Sequence, residues 1–249
     1  MILNNGAEFR EEIENFLNAE VKKDRNYKKI LETIASGNTK LNDIACKNDF
    51  INTGTLSHYI KLLMKIGLVG KEICFGKKNQ KKHLYYIKDQ FFNFYFKFIE
   101  KNTTYKIILE GDEFYNKFIH QELDTFVSYE FEKISKYFVS LKYRLEMEEI
   151  GRLWEKQKVI IDNKPKDEET EIDIILKTHK NLFAFECKWC NHPIDAKTIK
   201  KFKTKIKKLQ NLKIDKIGFI VKKSFSDQNT IDPTILFFFL NDLYDIKLY

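Results

Sequence analysis

Two acidic residues in the C-terminal half of the chain are spaced so that they could bind one divalent metal ion. Residues 171–188 alternate as two strands that flank a polar turn at His179-Lys180. With that turn, antiparallel pairing places Asp173 opposite Glu186, and directly opposed side chains lie about 5 Å apart. Carboxylates this close repel each other unless they share a proton or a cation. Mg²⁺ (or Mn²⁺) suits such a pair, since it takes one or two carboxylates together with water and a phosphate oxygen.

Lys188 follows Glu186 on the same face of the second predicted strand, because strand side chains alternate between faces. The apolar side chains of this strand point to the other face: Phe183, Phe185 and Cys187. Lys188 would orient an attacking water or neutralise charge that develops on a phosphate. The pattern predicts a metal-dependent nuclease centre. The alternative is an amphipathic hairpin with a solvated polar face and a weak surface ion pair.

Asp173, Glu186 and Lys188 resemble the motif of the PD-(D/E)XK nuclease superfamily, in which a helical glutamate precedes an acidic strand residue and a Glu-x-Lys strand. The segment Thr125 to Leu141 is a predicted helix, in which Glu132 matches that glutamate best and Glu130 is the alternative. Its predicted apolar face is formed by Phe131, Ile134 and Phe138, and Ser128 stands where the superfamily usually has a smaller residue. The resemblance implies that Glu132 assists Asp173, Glu186 and Lys188 in catalysis, and that residues 105–249 form a restriction-endonuclease-like mixed sheet flanked by helices.

The stretch Gly151-Arg152-Leu153-Trp154 resembles a Gly-Arg-x-Trp sequence found ahead of the acidic strand in one branch of the superfamily. The alternative is a loop that contributes a core tryptophan. Either interpretation places Trp154 against apolar side chains.

A basic amphipathic helix is predicted over Asp195 to Leu212, after the Glu-x-Lys strand. Its apolar residues recur at helical spacing: Ile199, Phe202, Ile206 and Leu209. Lysine fills half of the other positions, and Lys200 and Lys201 are candidate DNA contacts. A merely solvated lysine face is the alternative. The segment 216–221 is a predicted buried strand, so strand, helix and strand imply a parallel crossover in an α/β domain. Asp232-Pro233 then predicts the start of a last apolar helix through Leu243.

The first hundred residues predict three short helices followed by a basic hairpin, which is the pattern of a winged helix-turn-helix. The third helix, over 55–66, buries Leu56, Ile60 and Leu63 and leaves Ser57, His58 and Lys61 for a DNA groove. The hairpin tip offers lysines for phosphate contacts: Lys77, Lys78, Lys81 and Lys82. DNA binding is the predicted function, and a protein-contact role with a solvated wing is the alternative.

An aromatic segment follows the hairpin, with side chains that could pack in a core or stack on bases: Phe91, Phe92, Phe94, Tyr95, Phe96 and Phe98. The dense helical spacing favours a core. Residues 26–45, 55–69 and 87–99 resemble the C-terminal region of an archaeal-type P-loop ATPase family, with Asp89 and the phenylalanines after it in the family's Asp-x-Phe-Phe-x-Phe positions. In that family a nucleotide-binding domain precedes a winged helix, and a PD-(D/E)XK nuclease-like domain follows.

The resemblance implies three regions: 1–24, similar to the end of the ATPase lid; 25–104, a winged helix with its aromatic connector; and 105–249, the nuclease-like domain. The stretch Gly70 to Lys78 departs from a phosphate-binding loop, since five residues separate its glycines and lysine follows Gly-Lys. We therefore expect no ATP use by this polypeptide, and a separately encoded P-loop ATPase is a possible partner that the resemblance suggests.

Composition narrows the class of protein. The chain has 249 residues, a net charge of +8 and 14% aromatic residues, which suits a folded protein that attracts polyanions. We expect a cytoplasmic location, since no long apolar run and no signal sequence are found. Cys187 and Cys190 form a lone Cys-x-x-Cys, which disfavours a zinc site because no second pair exists. The sequence leaves the oligomeric state open.

Three functions are compatible with these patterns. The first is a Mg²⁺-dependent DNA endonuclease that a winged helix targets to its substrate. The second is a DNA-binding protein whose nuclease-like fold holds phosphates without cutting. The third is an interaction subunit of the separately encoded ATPase.

Overall fold

A computed structural model of the chain describes residues 8–21, 24–49, 53–76, 83–161, 164–209, 212–224 and 232–245. The chain divides into two compact units, one formed by Met1–Ile73 with Asn79–Leu123 and the other by Cys74–Lys78 with Asp124–Tyr249. The predicted DNA contacts at the hairpin tip lie outside the described residues: Lys77, Lys78, Lys81 and Lys82.

The first unit is mainly helical, with one hairpin. Its helices are α1 (Glu8–Val21), α2 (Arg25–Ala35), α3 (Leu41–Lys47), α4 (Thr53–Lys65), α5 (Gln90–Phe94), α6 (Thr103–Ile108) and α7 (Gly111–Phe118), and its strands are β1 (Val69–Ile73) and β2 (His83–Ile87). Helix α2 begins where the Asp24 carboxylate accepts the backbone N–H of Asn26 at 2.9 Å. It ends before Gly37, whose φ of +95° suits a glycine.

Helices α2, α3 and α4 share one apolar core. The residues predicted to face it from α4 are buried, namely Leu56, Ile60 and Leu63, and they are joined by Ile30, Leu31, Ile34 and Ile44. The antiparallel strands β1 and β2 follow, with Gly70 opposite Tyr86. A side-chain carbon at Gly70 would lie 2.4 Å from the far end of the Tyr86 ring, so a larger residue here would displace that ring.

The aromatic segment supplies a second set of buried side chains in the first unit. Helix α5 continues into a π-helical turn at Tyr95–Ile99 and a 3₁₀ turn at Glu100–Asn102. Tyr95, Phe96 and Phe98 are fully buried, whereas Phe91, Phe92 and Phe94 are partly exposed. The core interpretation is therefore confirmed for the three buried rings, which cannot stack on bases.

The second unit is built on a five-stranded mixed sheet among the described residues. Its strands are β3 (Met147–Ile161), β4 (Lys164–Thr178), β5 (Leu182–Lys188), β6 (Lys216–Val221) and β7 (Leu236–Phe239), in that spatial order, and its helices are α8 (His120–Lys142), α9 (Ala196–Lys207) and α10 (Leu240–Tyr244). The first three strands are antiparallel neighbours, and β5, β6 and β7 are parallel. The predicted parallel crossover is thus confirmed, with α9 connecting β5 to β6.

Helices α8 and α9 cover opposite faces of this sheet. Phe131, Phe138 and Val139 of α8 pack with Phe185 and other residues of one face. The prediction that Ile134 belongs to this apolar face was wrong, because its side chain is 56% exposed. The buried stripe runs through 131, 135, 138 and 139, and Ile134 lies on its flank.

The predicted helix after Asp232-Pro233 was also wrong. The Asp232 carboxylate accepts the backbone N–H of Thr234 and closes a turn instead of capping a helix. The apolar run that follows is the strand β7, where Phe237 stacks on Phe219 of β6 with ring centroids 5.6 Å apart. The run extends the sheet as a parallel neighbour of β6, and within the described residues the short helix α10 follows it.

The predicted α+β class with a mixed sheet and flanking helices is confirmed. No helix in the described part of the chain is long and apolar enough to cross a membrane.

Candidate metal and phosphate centre

The pairing of β4 with β5 follows the predicted register. Ile174 lies opposite Phe185 and Lys177 opposite Leu182, so the turn falls at the predicted place. The backbone N–H of Thr178 donates to the carbonyl of Asn181 at 3.0 Å and closes it. One step beyond the last paired residues, this register brings Asp173 next to the strand position of Glu186.

Asp173 is fixed to the neighbouring strand. Its Oδ2 accepts the backbone N–H of Cys187 at 2.8 Å. The pKa of Asp173 is raised to about 6, because burial and the charge of Glu186 outweigh the opposing effects of the Cys187 N–H and the Lys205 ammonium. The carboxyl therefore holds its proton to a higher pH than an exposed aspartate does.

Glu186 is held by two lysines. Lys188 Nζ lies 2.7 Å from Oε1, and Lys205 Nζ lies 2.9 Å from Oε2. Glu186 is 8% exposed, so these two ammonium groups neutralise a buried charge. Burial alone would lower the pKa of Lys188, but the charge of Glu186 and its hydrogen bond outweigh burial and raise it. Lys188 is thus a cation in this state.

Glu132 of α8 belongs electrostatically to the same group. Burial raises its pKa to about 7; Arg152 opposes this rise, and Asp173 adds to it. The Arg152 guanidinium lies 3.2 Å from the Glu132 carboxylate. Glu130 instead pairs with Lys133 one turn along the helix, at 2.9 Å. Of the two glutamates that the sequence left open, Glu132 is therefore the one with charged partners at the centre.

Arg152 connects the Gly-Arg-x-Trp stretch to this group. The stretch is part of β3 rather than a loop, and Trp154 is buried as expected. Besides Glu132, the guanidinium contacts Glu171 of β4 at 2.5 Å. It therefore bridges helix and strand carboxylates, and it had no role assigned from the sequence.

The donor atoms of the centre suit a hard divalent cation. Asp173 and Glu186 supply carboxylate oxygens, and the two ammonium groups on Glu186 stand where positive charge is needed. Among the described residues no group of three or more His, Cys, Asp or Glu side chains could hold a metal ion. Two carboxylates still fit Mg²⁺, which keeps several waters. Cys187 points into the core under α8, where burial raises its thiol pKa, so it is no ligand here.

The other residues predicted to contact DNA lie on the helices α4 and α9. On α4, His58 and Lys61 are exposed, while Ser57 is partly buried and its hydroxyl donates to the Thr53 carbonyl at 2.8 Å. Lys200 and Lys201 are exposed on α9. Within the described part of the second unit, the polar contacts of Asp173 and Glu186 are made by Cys187, Lys188 and Lys205, not by Lys200 or Lys201.

Lys205 is the functional candidate that sequence reasoning missed. One signal was present, because Lys205 follows Phe202 by three residues and so flanks the buried stripe of α9. That signal was not sufficient, since lysine fills most other positions of the same helix.

Comparisons with known proteins leave the activity open. Residues 95–205 match the model of a family described as archaeal and bacterial proteins of unknown function, DUF234. The uncharacterized protein MJECL04 of Methanocaldococcus jannaschii is 28% identical over 186 residues, which are 72% of this chain and 39% of that protein. The chain thus spans about two fifths of the length of this curated relative. The crystal structure of protein VC1899 from Vibrio cholerae aligns with 89% of this chain and 53% of its own, at 13% identity and a TM-score of 0.35, a likeness too low to support an argument.

Proposed function

We propose that this protein hydrolyses phosphodiester bonds in DNA with the help of a divalent metal ion, as a PD-(D/E)XK-type endonuclease. The observation that carries the proposal is the contact set around Glu186. The two carboxylate oxygens of Glu186 contact Lys188 and Lys205. On the neighbouring strand, burial and the charge of Glu186 raise the pKa of Asp173. Burying these charged side chains together costs folding free energy, and clusters of this kind are typical of functional sites.

Each side chain has a distinct role in the proposed reaction. Lys188 stays protonated beside Glu186, so it acts as a fixed positive charge that stabilises the pentacoordinate transition state at phosphorus. Glu132 has a pKa of about 7 and can exchange a proton with the attacking water near neutral pH. In the overall step the water oxygen forms a bond to phosphorus and one water proton passes to Glu132, while the bond to the leaving oxygen breaks and that oxygen takes a proton from solvent.

Asp173 and Glu186 would hold Mg²⁺ or Mn²⁺. When bound, such an ion lowers the pKa of its water and withdraws charge from the phosphate. The two carboxylates sit on adjacent strands, so the sheet fixes the spacing of these ligands.

The first unit supports targeting to duplex DNA. Helices α2 to α4, followed by the β1–β2 hairpin, suit a winged helix, and α4 would be its recognition helix. Leu56, Ile60 and Leu63 anchor α4 in the core, so His58 and Lys61 face outward together. Base contacts from such a face specify sequence, and lysines contact phosphates.

Cleavage of plasmid and branched DNA by the purified protein in Mg²⁺ or Mn²⁺ tests this function. We expect metal-dependent nicking that is lost on combining Asp173→Ala with Lys188→Ala. The matched control is Glu148→Gln, which removes a carboxylate from β3 whose partners are Lys177 and His179. This variant should cut like the unchanged protein.

The other outcomes separate the alternatives. DNA binding without cutting by any variant would favour a protein that holds phosphates without hydrolysing them. Absence of DNA affinity would favour the interaction subunit of a separately encoded P-loop ATPase.

A further inference from the structure

Lys205 reaches the centre because the helix that carries it is packed onto the sheet beside Glu186. Phe202, one turn earlier on α9, meets Phe219 of β6 edge-on with ring centroids 5.2 Å apart. Phe219 is in turn the strand partner of Glu186. The position of Lys205 therefore follows from a buried aromatic contact rather than from a flexible surface pairing.

The carboxyl groups of the strand pair are matched by ammonium groups without any added ion. Asp173 and Glu186 are the two carboxyl groups, and Lys188 and Lys205 are the two ammonium groups. Glu132 at the same centre has the Arg152 guanidinium as its partner. A divalent cation bound to the two carboxylates would leave the centre with excess positive charge, which suits an anionic ligand.

We infer that Lys205 is a second phosphate-binding cation of this centre, whose ammonium leaves Glu186 for a non-bridging oxygen of the nucleic-acid backbone. This inference rests on the proposed function, because it assigns the backbone phosphate as the ligand of the same site. It goes beyond the proposed function because Lys205 lies on α9, whereas Asp173, Glu186 and Lys188 lie on the strands β4 and β5.

The geometry suits such an exchange. The Lys205 side chain is 31% exposed, close to the 37% of Lys188, while Glu186 is held at 11%. A backbone phosphate can therefore approach both lysine side chains, while Glu186 lies deeper in the centre. Lysine is a compact point charge on a flexible stem, so it can turn from a carboxylate to a phosphate without moving its helix.

The test compares three single variants of the full chain. Lys205→Met removes the charge and keeps the stem, Lys205→Arg keeps the charge, and Lys207→Met removes an equal charge from an exposed position of α9. Mn²⁺ affinity is measured by calorimetry without nucleic acid. Affinity for a short duplex is measured by fluorescence anisotropy in Ca²⁺, and the duplex is afterwards checked for integrity.

Lys205→Met should bind Mn²⁺ about fivefold more tightly, because Glu186 loses one competing cation. The same variant should bind the duplex about tenfold more weakly than Lys207→Met, since one charge-assisted phosphate contact is lost. Lys205→Arg should bind the duplex within about threefold of the unchanged protein.

Equal duplex affinity of Lys205→Met and Lys207→Met would overturn the inference, as would unchanged Mn²⁺ affinity. A purely structural Lys205 would instead lower the melting temperature and weaken both affinities. Neither readout needs cleavage. A wild-type protein that does not cut therefore refutes the nuclease alone, and the two affinities still decide the role of Lys205.

Discussion

At the scale of single residues, the centre is a cluster of buried charges that lowers the stability of the fold. Burial raises the pKa of Asp173 to about 6 and that of Glu132 to about 7. Each ionised carboxyl is therefore less stable in the folded protein than in the unfolded chain. Clusters of this kind are typical of functional sites, where stability is lower than packing alone would allow.

Glu132→Gln should stabilise the fold at high pH and not at low pH. The folded pKa of Glu132, about 7, exceeds its ordinary value of 4.5. Between those values the folded protein holds a proton that the unfolded chain has lost, so the free energy of unfolding falls as the pH rises through this window. At pH 8 the variant should gain on the order of 1–3 kcal/mol, and at pH 4 almost nothing.

Urea denaturation at the two pH values measures this difference. Glu130→Gln is the matched control, because Glu130 lies on the same helix and pairs with Lys133. Equal effects of Glu132→Gln at pH 4 and pH 8 would argue against the buried carboxyl.

Mn²⁺ should raise the melting temperature at pH 8 and do so much less at pH 5. Asp173 holds its proton below about pH 6, and a protonated carboxyl is a poor ligand. At pH 8 and a hundredfold excess over Kd, binding should add about 2–3 kcal/mol to the free energy of unfolding. Differential scanning fluorimetry of the wild type, Asp173→Asn and Glu148→Gln gives the comparison. A thermal shift that persists in Asp173→Asn would place the ion elsewhere.

At the scale of elements, strands position the acidic groups and helices add the partners. The hairpin register follows from the sequence, because the turn at 179–180 and the alternation of residues 182–188 define a single pairing. The crossover of α9 could be predicted for the same kind of reason. The role of Lys205 could not, since many lysines share its helix and only tertiary packing of Phe202 selects one of them.

Two features of the sheet could not be predicted from sequence patterns, namely the strand β7 and the partners of Arg152. The run 235–239 has no alternation, so a buried parallel strand and an apolar helix look alike there. The partners of Arg152 were equally hidden, since its contacts lie on α8 and β4, far from it along the chain. Site residues on one strand pair could be predicted from their spacing, and Glu132 on α8 from the family resemblance. Lys205 and the partners of Arg152 could not, because tertiary packing of separate elements brings them together.

Gly218→Ala should destabilise the second unit. A side-chain carbon at Gly218 would lie 2.5 Å from the ring of Phe185, which is fully buried, and 3.1 Å from the Leu236 carbonyl. The buried ring and the backbone carbonyl can move only at a cost in packing or strand hydrogen bonding, so we expect a loss of about 1–3 kcal/mol in the free energy of unfolding.

Gly151→Ala is the matched control in the same sheet. The nearest atom to its added carbon is 3.5 Å away, which is an ordinary contact. Denaturation of both variants checks the difference. A loss in Gly151→Ala as large as that in Gly218→Ala would mean that strand propensity, not crowding, decides.

At the scale of the whole molecule, a net charge of +8 favours polyanions as ligands. Binding to nucleic acid should therefore weaken with salt, because phosphate contacts release counterions. The same charge by itself gives no sequence preference, which base contacts must supply.

Lys61→Ala should weaken duplex binding and reduce its salt dependence. If Lys61 contacts a phosphate, the slope of log K against log salt should become less negative by about one. Lys29→Ala, an equal loss of charge from an exposed position on α2, should change the slope much less. Anisotropy titrations at several salt concentrations measure both. Equal slopes for Lys61→Ala and the wild type would remove Lys61 from the DNA contacts.

Single-turnover cleavage of labelled DNA across a Mn²⁺ titration, set beside the calorimetric Kd for Mn²⁺, tests the central claim most directly. We predict that the Mn²⁺ concentration for half-maximal cutting matches the Kd when both are measured with DNA bound, and that Asp173→Asn loses binding and cutting together. Cutting that persists in Asp173→Asn at saturating Mn²⁺, or Mn²⁺ binding without any cutting by the wild type, would contradict a nuclease centre at Asp173 and Glu186.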